Sequence, residues 1–281
     1  MKHLTYDFLN AKPLVLPGHT KVSFVLVGCG GNGSWLAATI CRLARVLAED
    51  SKQTEVIFID PDTVEEANIG RQNFCTAEIG FNKAKTLALR YSLAWGIAIA
   101  AIPEPFDPRL IDTESDTLTI LIGCVDNAAA RTAITRAVEL HQWTYGMGTY
   151  LWWLDCGNWE TSGQVLLGSH ANTDPDFYQF HELGCHRLPA PNIQHPDLLV
   201  PQPEELDRSS LSCEELIQRN RQSLGINQRV AAEAAEYLIQ LTTGKLKRFA
   251  TYFDLSSGAA NSLYTTRESV LDSIRWKSNL S

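Results

Sequence analysis

Six residues, Gly28-Cys29-Gly30-Gly31-Asn32-Gly33, constrain this chain more than any others. The apolar run Val22–Val27 (VSFVLV) leads straight into them, and Leu36, Ile40, Leu43 and Leu47 recur at helical spacing after them. In the order strand, G-x-G-x-x-G, helix, the glycines permit a tight turn and let the backbone approach a phosphate. The helix that follows is predicted from Ser34 to about Glu49. Its N-terminus offers unpaired N–H groups and a partial positive charge. Taken alone, the glycine pattern favours NAD or FAD. No Walker lysine follows it, so it is not a P-loop.

The rest of the first half alternates in the same way. Val56–Ile59 (VIFI), Ile97–Ile102 and Leu118–Ile122 (LTILI) read as buried strands, and Lys83 to Leu93 reads as a helix. Asn127 is placed to cap another helix, running to about His141. Alternating strands and helices predict an α/β fold, a Rossmann-like, mostly parallel sheet with helices on both faces. Ligands of such sheets sit beyond the carboxyl ends of the strands. Gly28, Asp60 and Asp126 all fall at such ends.

After about residue 143 the pattern changes. Short strands are predicted at Trp143–Met147, Leu151–Cys156 and Gly163–Gly168, an antiparallel extension of the sheet. Residues 169–212 are rich in Pro, His, Asp and Ser and read as a long, solvated crossover loop. A last helix is predicted from about Ile226 to Thr242, and a small β element from Phe249. The expected organisation is an arm at 1–20, an adenylation domain at 21–168, a crossover loop at 169–212, and a segment at 213–281 completing the same domain.

The residues that carry chemistry follow the second strand: Asp60-Pro61-Asp62, Asn68, Arg71-Gln72 and Lys83. A carboxylate at that strand end suits a ribose, which fits NAD as well as ATP. Arg71 and Lys83 suit a triphosphate better, one as a bidentate clamp and the other as a point charge. Asp126 is then placed to hold Mg²⁺. The plain alternative for Arg71 and Lys83 is a solvated surface pair.

IDPDTVEEANIGRQNF, then Lys83, then Cys124-Val125-Asp126-Asn127, resembles the ThiF/MoeB superfamily of ubiquitin-activating-enzyme-like adenylyltransferases. The resemblance covers roughly residues 20–170 and resumes at about 210–245. The LDCGN run before GQVLLG, with LSCEEL and INQ later, is similar more narrowly to the ThiF-related family of the PRTRC plasmid cassette. The resemblance implies an ATP loop at Gly28, Gly30, Gly31 and Gly33 and a ribose contact at Asp60, with Asp62 beside it. Asn68, Arg71, Gln72 and Lys83 would surround the phosphates, and Asp126 with Asn127 would serve Mg²⁺ and the geometry of attack. It implies a homodimer, and a small ubiquitin-like or sulfur-carrier-like protein whose C-terminal carboxylate becomes an acyl-adenylate.

Some relatives carry a nucleophilic cysteine ahead of the last long helix. Cys213 sits at a matching place, with Cys185 as a weaker candidate and an inert thiol as the alternative for both. A reactive thiol needs a lowered pKa, and Glu214 and Glu215 oppose that. No CxxC pair is present, so the structural zinc site of many relatives is not expected. His181, Cys185, His186 and His195 match no standard zinc spacing. Residues 1–20 contain no arginine, which removes one cross-subunit ATP contact found in relatives. Trp152 and Trp153 read as packing rather than as a partner surface.

A net charge of −8 at pH 7 argues against broad nucleic-acid binding. Seven unframed cysteines and the lack of a long apolar run predict a cytoplasmic, membrane-free protein. Two other readings stay open: a nucleotide-binding docking or regulatory module without turnover, and an NAD-dependent oxidoreductase. The second leaves Arg71 and Lys83 unexplained.

Overall fold

The structure, a computed structural model, describes residues 7–111, 116–141, 150–178, 180–182, 184–201 and 225–275. Eight strands form one sheet: β1 (Lys21–Val27), β2 (Gln53–Ile59), β3 (Ala100–Ile102), β4 (Thr117–Gly123), β5 (Leu151–Asn158), β6 (Ser162–Gly168), β9 (Arg248–Asp254) and β10 (Ala259–Tyr264). Their order is β10-β9-β6-β5-β4-β1-β2-β3. The five strands from β5 to β3 run parallel, and β6, β9 and β10 continue the sheet antiparallel. This is the Rossmann-like α/β fold with an antiparallel extension. The central strands are continuous apolar runs because both of their faces are covered.

Strand alternation divides the core into two layers. Phe24, Leu26, Phe58, Trp152 and Leu154 pack with α2 (Gly31–Glu49), α3 (Lys83–Trp95) and α6 (Ile226–Thr242). Val25, Val27, Leu121 and Trp153 pack with α4 (Ala128–Leu140) on the other face. Trp152 and Trp153 are each fully buried, one in each layer, so they are core residues. Asn127 caps α4, its Oδ1 accepting from Ala130 N at 2.8 Å.

Several boundaries differ from the sequence expectation. α2 begins at Gly31, not Ser34, because Ser34 N already donates to Gly30 O at 3.0 Å inside the glycine loop. β3 is only Ala100–Ile102, half the predicted run. The expected terminal β element is β9 with β10, and β9 pairs with β6 in the main sheet. The predicted strand Trp143–Met147 and Cys213 lie outside the described residues.

The segment after β6 departs most. It holds a two-stranded hairpin, β7 (Phe180–His181) with β8 (Gly184–Cys185), and the short helix α5 (Pro191–Gln194). His170, Cys185, Leu188 and Ala190 are buried rather than solvated. Its polar groups bond inward: Gln194 Nε2 donates to Leu167 O at 2.9 Å and Pro189 O at 2.7 Å. The Cys185 thiol donates to Arg187 O at 3.1 Å, and burial pushes it up to about 12. A protonated, buried thiol is not a nucleophile at neutral pH, which removes Cys185 as a catalytic candidate.

The arm is also tied down. It carries α1 (Asp7–Asn10), and Lys12 N donates to Thr265 O, Leu14 N to Leu246 O and Val15 N to Cys185 O. A final helix, α7 (Arg267–Arg275), follows β10. Among the described residues no helix is long and apolar enough to cross a membrane.

His170 makes the packed segment pH-sensitive. Its Nδ1 lies 2.8 Å from Ser169 Oγ, and among the described residues its Nε2 has no partner. Burial, aided by Arg187, pushes the imidazole down from 6.5 to about 4. Between those values the unfolded chain binds a proton that the folded chain does not. The contribution is therefore present above pH 6.5 and lost as pH falls toward 4. The unfolding free energy should drop by on the order of 3 kcal/mol across that window, and His170→Gln should flatten the slope. Denaturant titrations at several pH values check this, and equal slopes in the two proteins would refute it.

Candidate active site

The carboxyl ends of β2, β1 and β4 are level: Val27 pairs with Ile59 on one side and Gly123 on the other. The glycine loop leaves β1 between them. Gly28 has φ +88°, and a Cβ there would lie 2.5 Å from Cys124 O. A Cβ at Gly33 would lie 1.9 Å from Gly28 O. Any side chain at these two positions would open the loop. Gly30 rests against the Gln72 amide and Gly31 against Asn227 of α6. No side chain caps α2, so its first N–H groups face the loop without a capping acceptor.

Asp60, just past β2, holds this loop. Its Oδ2 accepts from Cys29 N at 2.6 Å and its Oδ1 from Asp62 N at 2.8 Å. Asp60 is 5% exposed. Burial pushes its carboxyl up, while the two backbone N–H groups and Lys83 pull it back. Both oxygens are thus committed to the backbone. Asp62 is different: its side chain is 66% exposed, and Lys83 Nζ donates to its Oδ2 at 3.1 Å. Lys83 is the first residue of α3 and is itself buried. Asn82 fixes it there by capping Lys85 N and donating to Asp60 O and Asp62 O.

The turn between β2 and α3 carries the other expected residues. Asn68 Oδ1 accepts from Glu65 N at 2.9 Å and shapes the turn. Arg71 offers its carbonyl to Trp35 Nε1 at 3.3 Å and to Asn227 Nδ2 at 2.9 Å, while its Nε donates to Ala67 O. Gln72 is buried beside Gly30 with Oε1 unpartnered. Asn32 donates to Cys156 O and Asn158 Oδ1, leaving its own Oδ1 unpartnered, as is Asn227 Oδ1. Among the described residues, these three buried amide oxygens around one glycine loop have no donor. Such groups cost free energy unless a ligand or water satisfies them.

Asp126 stands exposed beyond β4, with Asn127 Nδ2 donating to its Oδ1 at 3.3 Å. Arg131 Nε of α4 donates to Asp155 Oδ1 at 3.2 Å, and Asp155 pairs with Gly123 at the end of β4. Asp155 is fully buried with Oδ2 unpartnered, and burial raises its carboxyl against the pull of Arg131.

The structure thus gathers Gly28–Gly33, Asp60, Asp62, Asn68, Arg71, Gln72 and Lys83 on one edge, with Asp126 and Asn127 on the same edge beyond β1. Sequence reasoning had not assigned roles to Asn32, Asn227 or the Arg131–Asp155 pair. Asn32 lies inside the recognised motif. Asn227 and Asp155 reach the edge only through folding.

Residues 19–195 match the ThiF family model. Over 133 residues the chain is 32% identical to ubiquitin-like modifier-activating enzyme 5 of Dictyostelium discoideum, covering 41% of this chain and 32% of that protein. Among solved structures, E. coli MccB with AMPCPP and MccA matches at TM-score 0.54 and 16% identity, covering 93% of this chain and 65% of that one. PaaA matches at TM-score 0.53 and 17% identity, covering 87% and 64%. The chain spans about a third of the curated relative and less than two thirds of these solved chains. At that identity the solved structures speak for the fold alone. The family match covers more than half of the chain, and with the loop, Asp60, Lys83 and Asp126 on one edge, the chain belongs to the ThiF family.

Proposed function

We propose that the protein is an ATP-dependent adenylyltransferase that joins a substrate carboxylate to AMP and releases pyrophosphate. The observation that carries this is the shared edge: a glycine loop opening α2, the buried Lys83 beside Asp62, and Asp126 across β1. Family membership supports it, as does the fold shared with MccB, which has been solved with ATP.

In this reading the loop and the α2 N-terminus receive phosphate oxygens. Lys83 and Arg71 neutralise them, and Asn68 and Gln72 line the turn. Asp60, whose oxygens each keep a lone pair after serving the backbone, and the exposed Asp62 beside it accept from the ribose. Among the described residues no cluster of three or more His, Cys, Asp or Glu could hold a metal alone. Asp126 with Asn127 fits Mg²⁺, which takes one or two carboxylates and completes its shell with phosphate and water. Bound there, Mg²⁺ would supply charge neutralisation. The ionised substrate carboxylate forms a bond to the α-phosphorus. The bond to the bridging oxygen breaks, and pyrophosphate leaves with the electron pair. Positioning and electrostatics supply most of the catalysis, with no covalent residue required.

The finer assignments belong to the same proposal. The substrate is the C-terminus of a small ubiquitin-like or sulfur-carrier-like protein, the protein acts as a homodimer, and it is a cytoplasmic member of the PRTRC group. Cys213 would receive an acyl group only if a thioester follows.

The first test is ATP–pyrophosphate exchange with Mg²⁺ and candidate small proteins. Asp126→Ala should lower exchange about 100- to 1000-fold. ATP binding with no exchange for any carboxylate tried would favour a docking module instead.

The two neighbouring aspartates should separate in a second test. Asp60→Ala should cost about 2–4 kcal/mol of stability, because two charge-assisted bonds to the loop are lost. Asp62→Ala should cost under about 1 kcal/mol, as its ion pair is largely exposed, yet weaken ATP binding. Denaturant melts and nucleotide titration read both, and equal destabilisation would refute the division of roles.

A further inference from the structure

Arg131 and Asp155 stand beside the edge that carries Asp126, and the adenylation reading assigns them no part. Their place is fixed by a closed run of contacts. Asp155 of β5 pairs with Gly123, the last residue of β4. Its carboxylate lies against that backbone: a Cβ at Gly123 would be 3.4 Å from Asp155 Oδ1. Three residues after Gly123 the chain reaches Asp126, whose Oδ1 accepts from Asn127 Nδ2. Asn127 O accepts from Arg131 N at 3.4 Å, and Arg131 Nε returns to Asp155 Oδ1. One arginine is thus tied into a ring of contacts that holds two aspartates, Asp126 exposed and Asp155 buried.

Charge decides what this ring can do. A guanidinium stays charged at any physiological pH. The Arg131 side chain is only 12% exposed, so solvent screens it poorly. It lies four residues beyond the Asn127 cap, about 6 Å of helix rise, and helix side chains lean toward the N-terminus. At separations up to about 10 Å near a protein surface, one unit charge alters the binding of another by about 10-fold. An unbalanced cation there would oppose a divalent ion at Asp126, by repulsion or by pairing with its carboxylate. The buried Asp155 balances it. Burial raises the Asp155 carboxyl and Arg131 pulls it back, so each charge depends on the other. His195 also acts on Asp155, but burial holds that imidazole toward its neutral form. A buried ion pair adds little net stability over apolar residues of similar volume, so stability alone does not account for this one.

We propose that Asp155 is a positioning residue for the cation site: it neutralises Arg131 and so keeps Asp126 open to Mg²⁺. It acts through the arginine and touches neither metal nor substrate. This rests on the reading of Asp126 as the Mg²⁺ residue and adds the charge pair that tunes it.

The test is the affinity of the full chain for a non-hydrolysable ATP analogue, measured by calorimetry in EDTA and in saturating Mg²⁺. The ratio of the two dissociation constants is the contribution of Mg²⁺. Asp155→Asn, which keeps the shape and loses the charge, should lower that contribution about 10-fold. Asp155→Ser should do the same and serves if the amide variant does not fold. Affinity in EDTA should hold or rise, because an unbalanced cation attracts the bare polyphosphate. Arg131→Gln should keep the contribution within about 2-fold of the parent, and the double variant Asp155→Asn/Arg131→Gln should restore it. A merely structural pair behaves differently: Arg131→Gln lowers the contribution as much as Asp155→Asn, and the double variant is no better than either. That result overturns the proposal, as does an unchanged ratio in both Asp155 variants while Asp126→Ala lowers it. If Asp126→Ala also leaves the ratio unchanged, Asp126 is not the Mg²⁺ residue and both readings fall. If the expected pattern appears but pyrophosphate exchange never does, adenylation falls and the charge pair stands.

Discussion

The buried carboxylate of Asp60 is the fastening on which the site depends. One oxygen grips Cys29 N in the glycine loop, and the other grips Asp62 N at the start of the next loop. Burying a carboxylate is costly unless its oxygens are satisfied, and here two backbone donors and the nearby Lys83 charge do so. Because the carboxylate is short and its partners are backbone, it sets the height of the loop above β1. Gly28 and Gly33 allow that height, since a Cβ at either position would strike backbone oxygen. Asn82 then bonds the carbonyls of Asp60 and Asp62, so the position of Lys83 follows from the same fastening.

Around this rigid centre lie polar groups that the fold alone leaves unsatisfied. Asn32 Oδ1, Gln72 Oε1 and Asn227 Oδ1 border the loop, and Asp155, with Oδ2 unpartnered among the described residues, pairs with Gly123 at the end of β4. Four of the eleven such atoms found among the described residues border this edge, where a ligand or water would satisfy them. The arrangement is preorganised: side chains are held by helix caps, turns and backbone bonds rather than by one another. That is the condition under which electrostatic stabilisation of a transition state is effective.

The antiparallel strands widen the core and extend the sheet beyond β5. By continuing the sheet past β5 they place Gln164, Tyr252 and Asn261 in a row on the face shared with Asp155. The segment after β6 folds back over this row and supplies Gln194 and His195. Its composition reads as solvated loop, yet its amides and hydroxyls bond inward and its apolar residues are buried. Composition reports polarity but not the direction in which polar groups point.

The sequence by itself determined which motif residues reach the candidate edge. The glycine loop, Asp60, Asp62 and Lys83 are legible because their chemistry is local to short motifs, and strand ends in a parallel sheet must converge. The Asn127 cap and the two-layer burial of Trp152 and Trp153 follow from spacing and alternation for the same reason. Only the tertiary structure decided which residues join them. Asn227 meets Arg71 across 156 residues, and Asn32 meets Cys156 across 124. It also divided the two aspartates, since exposure and hydrogen-bond partners, not spacing, separate a loop fastening from an open acceptor. The start of α2 and the packed segment after β6 were likewise settled by contacts between chain segments that no local pattern encodes.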